Sequence, residues 1–418
     1  FFSKWTVDLN DAQRPDNTYP IYAPAPPIRA TDTYSPGWSE AGIIIPYTLF
    51  RTYGDTRIVE RFWPNMTAYL RFMEEKSDGN LIYKEGSFED IRPKGGFGDW
   101  LSIGKKTPPD LLASIYFAYC SSLMHEMALA IGEEGDAAYF KKLAANIRQA
   151  FQEHYTDGEG RFITHAAAYG DGAGYVDGHM GFDGHTQTAY ANAIFKNMLD
   201  PDRKEIAGKH LVDLLRAHDN KLSTGFLGVR PLLPALSETG RSDLAYMLLL
   251  NEEYPSWLFE VVNGATTIWE RWDSYIKDVG FKNNAGMNSF NHYAFGSVNE
   301  WMFGNMAGIK VDQAGYRTFI IKPEIAKEGI SFVEATYHSI NGEIVSSWEK
   351  EGDQLRLQIS VPVNTIANVF IPAIGPDKVF ENRQAVENSP DMKVKGFSDG
   401  YLNLEVGSGV YQFTSENQ

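Results

Sequence analysis

Between residues 56 and 76 apolar side chains recur every three or four positions, at Phe62, Trp63, Met66, Tyr69, Leu70 and Met73, and that period predicts an amphipathic helix. The same texture returns along the first three quarters of the chain. An apolar segment at 41–53 ends on Gly54. A longer one at 107–131 opens on Thr107-Pro108-Pro109-Asp110, a proline-first helix start, and stops at Gly132. Further helices are expected at 136–155, 185–199, 203–218, 230–236 and 242–251. Residues 1–13 carry Phe2, Trp5 and Leu9 at helical spacing and read as the tail of a helix that begins upstream. The stretch 14–36 has six prolines and no period, so it is expected to be a long loop.

The helices alternate with loops of unequal length, and the long ones, 77–106 and 169–184 among them, are rich in Gly, Trp, Asp and His. Paired helices with long loops gathered at one end are the pattern of a closed ring of helical hairpins, with a cleft lined by those loops. After Gly308 the period shortens to two. Leu355, Leu357 and Ile359 alternate with Arg356 and Gln358, and turn signals at 340–342 and 350–353 separate short strands near 318–323, 342–348, 354–361 and 366–372. This predicts a C-terminal antiparallel β-sandwich over 313–418, behind a helical domain over 1–312. No strand is expected before residue 315.

One stretch, 254–304, concentrates chemistry. It holds Trp257, Trp269, Trp272 and Trp301 beside Glu270, Arg271, Asp273, His292 and Glu300. Flat rings cover the apolar face of a sugar, while a carboxylate and an imidazole handle hydroxyls or a reacting water. The competing reading is a core rich in Trp with an exposed ion pair. The run Gly264-Ala265-Thr266-Thr267-Ile268-Trp269, small and β-branched, is expected to be buried and to present Glu270 from its end. Such a carboxylate is costly unless it is paired or working.

Composition narrows the classes. Lys and Arg number 38 against 54 Asp and Glu, a formal charge of −16, which argues against a nucleic-acid partner. Aromatic residues make up 13%, in keeping with sugar binding. Cys120 is the single cysteine, so no disulfide forms within the chain, and its apolar surroundings mark it as a small core residue. No apolar run approaches a membrane span, and no HxH, HExxH, phosphate-loop or GxGxxG pattern is present, so neither metal nor cofactor is expected. Compartment and oligomeric state are open on these grounds.

Seven segments in order, FFSKWTVDLNDAQRPDNTYP, GWSEAGIIIPYTLFRTYGD, FGDWL with TPPDLLASIYFAY, LSTGFLGVRPLLPAL, YPSWLF, GATTIWERWD and SFNHYAFGSVNEWMFGNMAGI, resemble the bacterial α-L-rhamnosidases of glycoside hydrolase family 78. The resemblance covers nearly all of residues 1–415. It implies an (α/α)6 barrel followed by a β-sandwich, and inverting release of terminal α-L-rhamnose from rhamnose-containing oligosaccharides, polysaccharides or glycosides. It assigns Glu270 the part of the general base, Trp38 and Trp100 those of aromatic walls, and His292 a contact to the sugar. Glu40 departs from the Asp that often follows the GW pair.

The general acid of that family lies in an acidic motif before the first helix, and these 418 residues contain no counterpart. An inverting glycosidase needs two carboxyl groups on opposite faces of the sugar, about 6.5 to 9.5 Å apart. Asp99, Glu40 and Glu300 are the candidates within the chain, and Asp99, next to Trp100, is the foremost of them and also a candidate sugar contact. The chain alone is therefore expected to be inactive. His185 and Thr224 are weighed as cleft residues, with capping or core roles about twice as common for such residues. Two rival functions stand beside this reading: another (α/α)6 carbohydrate-active enzyme, and an inert carbohydrate-binding fragment. A lyase acting on uronic acids would want Arg or Lys in the aromatic loops, which hold few.

Overall fold

A computed structural model describes residues 1–24, 34–81, 96–165, 175–176, 179–281, 288–386, 389 and 392–417. Gly95, half of the glycine-rich 169–184 loop and residues 282–287 of the Trp-rich stretch therefore lie outside the described residues. The chain divides into two compact units, 1–48 with 56–297, and 49–55 with 298–418.

The first unit is helical. Its elements are α1 (Phe2–Asp11), α2 (Ala41–Tyr53, whose last turn groups with the second unit), α3 (Arg57–Lys76), α4 (Pro109–Ile131), α5 (Glu134–His154), α6 (Gln187–Phe195), α7 (Pro201–Ala217), α8 (Phe226–Glu238), α9 (Ser242–Leu249) and α10 (Trp257–Val262). α4 and α5 form a tight hairpin, α6 packs on both α7 and α8, and α1 and α4 flank α3. This is an (α/α)6 barrel of helical hairpins. Helix ends follow local chemistry: Gly132 closes α4 at φ 81°, and the side chains of Thr186, Asp200 and Ser256 accept the backbone amides that open α6, α7 and α10. α4 is buried nearly all round, with Cys120 inside it, where burial pushes the thiol well above its usual range.

Two differences from the sequence reading stand out, the first with a physical cause. α8 runs over thirteen residues, not the seven expected, although Pro231 and Pro234 lie inside it. Pro231 has no amide to donate to the carbonyl of Leu227, four residues back, and Asn192 Nδ2 donates there instead at 3.1 Å, so a neighbouring helix supplies the missing donor. The other difference is a two-residue pairing of β1 (Tyr175–Val176) with β2 (His179–Met180), ahead of the first expected strand. Among the described residues no helix is long and apolar enough to cross a membrane.

The second unit is a β-sandwich behind the short helix α11 (Val298–Trp301). Its strands are β3 (Ile309–Val311), β4 (Thr318–Ile321), β5 (Phe332–Ser339), β6 (Gly342–Glu351), β7 (Gln354–Val361), β8 (Ile366–Pro372), β9 (Val379–Glu381), β10 (Gln384–Ala385), β11 (Met392–Ser398), β12 (Tyr401–Val406) and β13 (Gly409–Glu416). One sheet has the order β10-β9-β13-β7-β6-β5 and the other β11-β12-β8-β4-β3. Pairing is antiparallel except between β4 and β8, which run parallel. Leu355, Leu357, Ile359 and Val361 are buried and Arg356 and Gln358 exposed, the alternation the sequence predicts. Glu300 is exposed and Trp301 buried in this unit.

Candidate active site

Within the Trp-rich stretch, segments 267–270 and 289–292 run side by side. The amide of Glu270 donates to Ser289 O at 2.9 Å, that of His292 donates to Ile268 O at 2.9 Å, and Thr267 Oγ1 donates to Phe290 O. Pairing 268–270 with 289–292 is what brings Glu270 and His292, 22 positions apart in sequence, onto neighbouring backbone. The carboxylate of Glu270 is then held by the amide of Ser289, which donates to Oε2 at 3.0 Å. Half-buried and anchored through one oxygen, it keeps the other for a ligand or water.

The expectation that 264–268 is buried is wrong. Gly264, Thr266 and Thr267 are exposed, and only Trp269 is covered, at 4%. These residues form no helix or strand, so their small and β-branched side chains have no face to pack, and the loop hangs on its two ends. The tryptophans divide in the same way. Trp257, Trp269 and Trp272 are core residues. Trp257 Nε1 donates to Phe295 O at 2.9 Å, and Trp272 lies flat on Phe295 with ring centres 3.8 Å apart. No ring face of Trp272 or Trp257 is left for a sugar.

Trp38, Trp100 and His292, by contrast, are half-exposed members of a single row of rings. Trp100 meets Phe97 edge-on at 5.7 Å, Phe97 meets Trp38 at 5.3 Å, Trp38 meets Phe226 at 6.3 Å, and Phe226 meets His292 at 4.8 Å. Three loops and the first residue of α8 contribute to this wall. They are pinned by Trp38 Nε1 donating to Gly98 O at 3.0 Å, Phe226 N to Trp100 O at 2.9 Å and Ile103 N to Ser223 O at 2.9 Å. At Gly225 a Cβ would sit 2.1 Å from Trp100 O, so only glycine lets the two loops approach this closely.

His292 presents a defined tautomer. Its Nδ1 accepts the amide of Ala294 at 3.3 Å, which leaves the proton of the neutral ring on Nε2 as a donor. Burial holds the imidazole below its usual pKa, against the opposite pull of Glu270, so the neutral ring prevails at pH 7.

The other carboxyl groups weighed from the sequence do not join the wall. Asp99 is 1% exposed, and its two oxygens accept from Thr188 Oγ1 and from the amides of Gly225 (2.8 Å), Leu227 (2.8 Å) and Gly228 (3.0 Å). It is the anion at the N-terminus of α8, consumed in holding that helix to the Trp100 loop, with no oxygen left for substrate. Burial pushes its pKa up while the four donors pull it down. Glu40 is fully buried. The amide of Gly37 and the hydroxyls of Tyr69 and Tyr34 donate to it, at 2.7, 2.9 and 3.3 Å, and burial raises it to about 7. His185, half-buried, pairs through Nδ1 with Tyr190 OH at 2.8 Å, and Thr224 is wholly buried in the core.

Sequence reasoning missed Phe226, Ser289 and Glu260. Phe226 stands inside the LSTGFLGVRPLLPAL segment, where nothing separates it from the apolar residues around it. Glu260 had a visible signal, a lone charge inside WLFEVV. It is 3% exposed, accepts the amide of Trp269 on Oε2 at 3.4 Å, and has no partner on Oε1. Burial raises its pKa to about 8.

That shift carries a stability prediction. In the unfolded chain Glu260 ionises near the ordinary glutamate value of 4.5. The folded state resists ionisation until about 8, so the protein loses stability as the pH rises through that window. Melting temperature should fall between pH 5 and 8, and Glu260→Gln should flatten the fall and raise melting at pH 8. An unchanged slope in the Gln variant would dismiss this account of Glu260.

Among the described residues no group of three or more His, Cys, Asp or Glu side chains could hold a metal ion. Comparison with known proteins turns this geometry into a family. Residues 1–306 match the bacterial α-L-rhamnosidase six-hairpin glycosidase domain, and 308–385 match the bacterial α-L-rhamnosidase C-terminal domain. An α-L-rhamnosidase of Streptomyces avermitilis is 38% identical over 99% of this chain, and one of Alteromonas sp. (strain LOR) 31% identical over 97%. This chain covers 36% and 41% of those two proteins, so it spans about two fifths of their length. A crystal structure of the S. avermitilis enzyme complexed with L-rhamnose superposes with a TM-score of 0.84 over 99% of this chain and 36% of that one. The enzyme from Dictyoglumus thermophilum, 26% identical, gives 0.81 over 100% and 43%. With the barrel and the sandwich each matched in order, this chain belongs to the bacterial α-L-rhamnosidases.

Proposed function

We propose that the protein carrying this chain hydrolyses terminal α-L-rhamnosides with inversion, and that Glu270 is the base that activates water. The observation that carries the reading is the pairing of 268–270 with 289–292. It sets a carboxylate, anchored through one oxygen by Ser289 N, beside a neutral His292 whose Nε2–H is a donor. A base needs a free oxygen and a fixed direction, and a sugar hydroxyl needs a donor that does not itself take the proton. The wall of Trp100, Phe97, Trp38 and Phe226 offers ring faces to the apolar side of rhamnose, including its methyl group. The complex of the S. avermitilis relative with L-rhamnose supports that ligand class.

An inverting reaction also needs an acid to protonate the leaving oxygen. Asp99 and Glu40 are buried and hydrogen-bonded away from the wall. We assign the acid to a part of the protein beyond these 418 residues. The test is a time-resolved NMR assay of a nitrophenyl α-L-rhamnoside with the intact enzyme. β-L-Rhamnose as the first anomer supports inversion, and α-L-rhamnose as the first anomer refutes it. For the wall, Trp38→Ala and Trp100→Ala should each weaken L-rhamnose binding by about 1–3 kcal/mol in calorimetric titration with little change in melting temperature. A collapse of stability with no selective loss of binding would make them core residues instead.

A further inference from the structure

Glu260 is a carboxyl group with almost no contact with water and a single hydrogen bond, and it lies ten residues before the proposed base. Its helix, α10, is opened by Ser256 Oγ, which accepts Phe259 N at 3.0 Å. The residue grips the loop that follows at two points: its carbonyl accepts the amide of Ala265 at 3.0 Å, and its side chain accepts that of Trp269 at 3.4 Å. The next amide, of Glu270 itself, is held by Ser289 O at 2.9 Å. Two successive amides are therefore tethered to two different elements, and the backbone from which the base projects is fixed between them. The rest of the loop, 264–268, is largely exposed and cannot supply that rigidity by packing.

We propose that Glu260 is a positioning residue for Glu270, acting through the amide of Trp269. A buried carboxyl kept with one oxygen unpartnered costs stability, and an apolar residue of the same size would remove that cost. What the apolar residue could not do is accept the Trp269 amide. Displacements of about 1 Å in a base are enough to cost a large factor in rate, so an acceptor at this point is worth its penalty. The inference rests on Glu270 being the base.

Glu260→Gln keeps a carbonyl oxygen for Trp269 N, whereas Glu260→Leu keeps volume and removes the acceptor. In the intact enzyme Glu260→Leu should lower kcat about tenfold with KM within about twofold, and Glu260→Gln should restore kcat to within about twofold of the parent. A double variant, Glu260→Leu with Glu270→Gln, should be no slower than Glu270→Gln alone, because a positioning effect has nothing left to position. Full kcat in Glu260→Leu, equal losses in the Leu and Gln variants, or a further drop in the double variant would each overturn the proposal. If Glu260→Leu does not fold, Glu260→Met, also lacking an acceptor, takes its place in the same cycle. Retention of full kcat by Glu270→Gln would instead sink the assignment of the base, and so separates the two failures.

Discussion

Glu270→Gln should leave the melting temperature and L-rhamnose affinity of the intact enzyme nearly unchanged while lowering kcat by about a hundredfold or more, equivalent to roughly 3 kcal/mol of lost transition-state stabilisation. The substitution is nearly isosteric. The amide of Ser289 donates to Glu270 Oε2, and the glutamine carbonyl can accept the same bond, so the side chain stays anchored. What disappears is a group able to take a proton from water. KM should move little, because the wall of rings and the His292 donor that bind the sugar are untouched. Steady-state kinetics with a chromogenic α-L-rhamnoside, alongside titration with L-rhamnose, tests this. A variant that keeps near-full kcat would remove Glu270 from the role of base, and a variant that loses affinity and rate together would make it a binding group.

The second large effect is structural. Asp99→Ala should destabilise the barrel by at least about 2 kcal/mol, because it leaves the amides of Gly225 and Leu227 buried without an acceptor, at about 1–3 kcal/mol each, and that of Gly228 with only its 3.2 Å bond to Gly225 O. For a unit of this size that lowers the melting temperature by about 3 °C or more. The same carboxylate ties the Trp100 loop to the start of α8, from which Phe226 enters the wall, so rhamnose binding should weaken as well. Asp99→Asn is the sharper control. It preserves shape but turns one acceptor into a donor facing donors, and it should be nearly as damaging as Ala. If either variant melts like the parent and loses only activity, Asp99 acts on substrate after all.

These two carboxylates show how far sequence reaches. Both stand next to a tryptophan in a loop, as Asp99-Trp100 and Trp269-Glu270, and by residue type either suits acid or base work. Their difference is one of environment: four donors and no exposure for Asp99, one donor and an open side for Glu270.

The periodicity of apolar positions determined that this chain is a set of helical hairpins followed by short alternating strands, because burial of one face is a local requirement written every three to four residues in a helix and every second residue in a strand. The seven ordered motifs, by resemblance and not by period, marked the family. The tertiary structure decided everything that depends on which groups meet. It let α8 continue through Pro231 because Asn192 supplies a donor from another helix. It sent Trp257 and Trp272 into the core and Trp38 and Trp100 to the wall, although all four are the same residue. It also turned Glu260, a lone charge in an apolar run, into the buried acceptor for Trp269. Hydrogen-bond partners and desolvation are set by neighbours distant in sequence, and a local pattern carries no record of them.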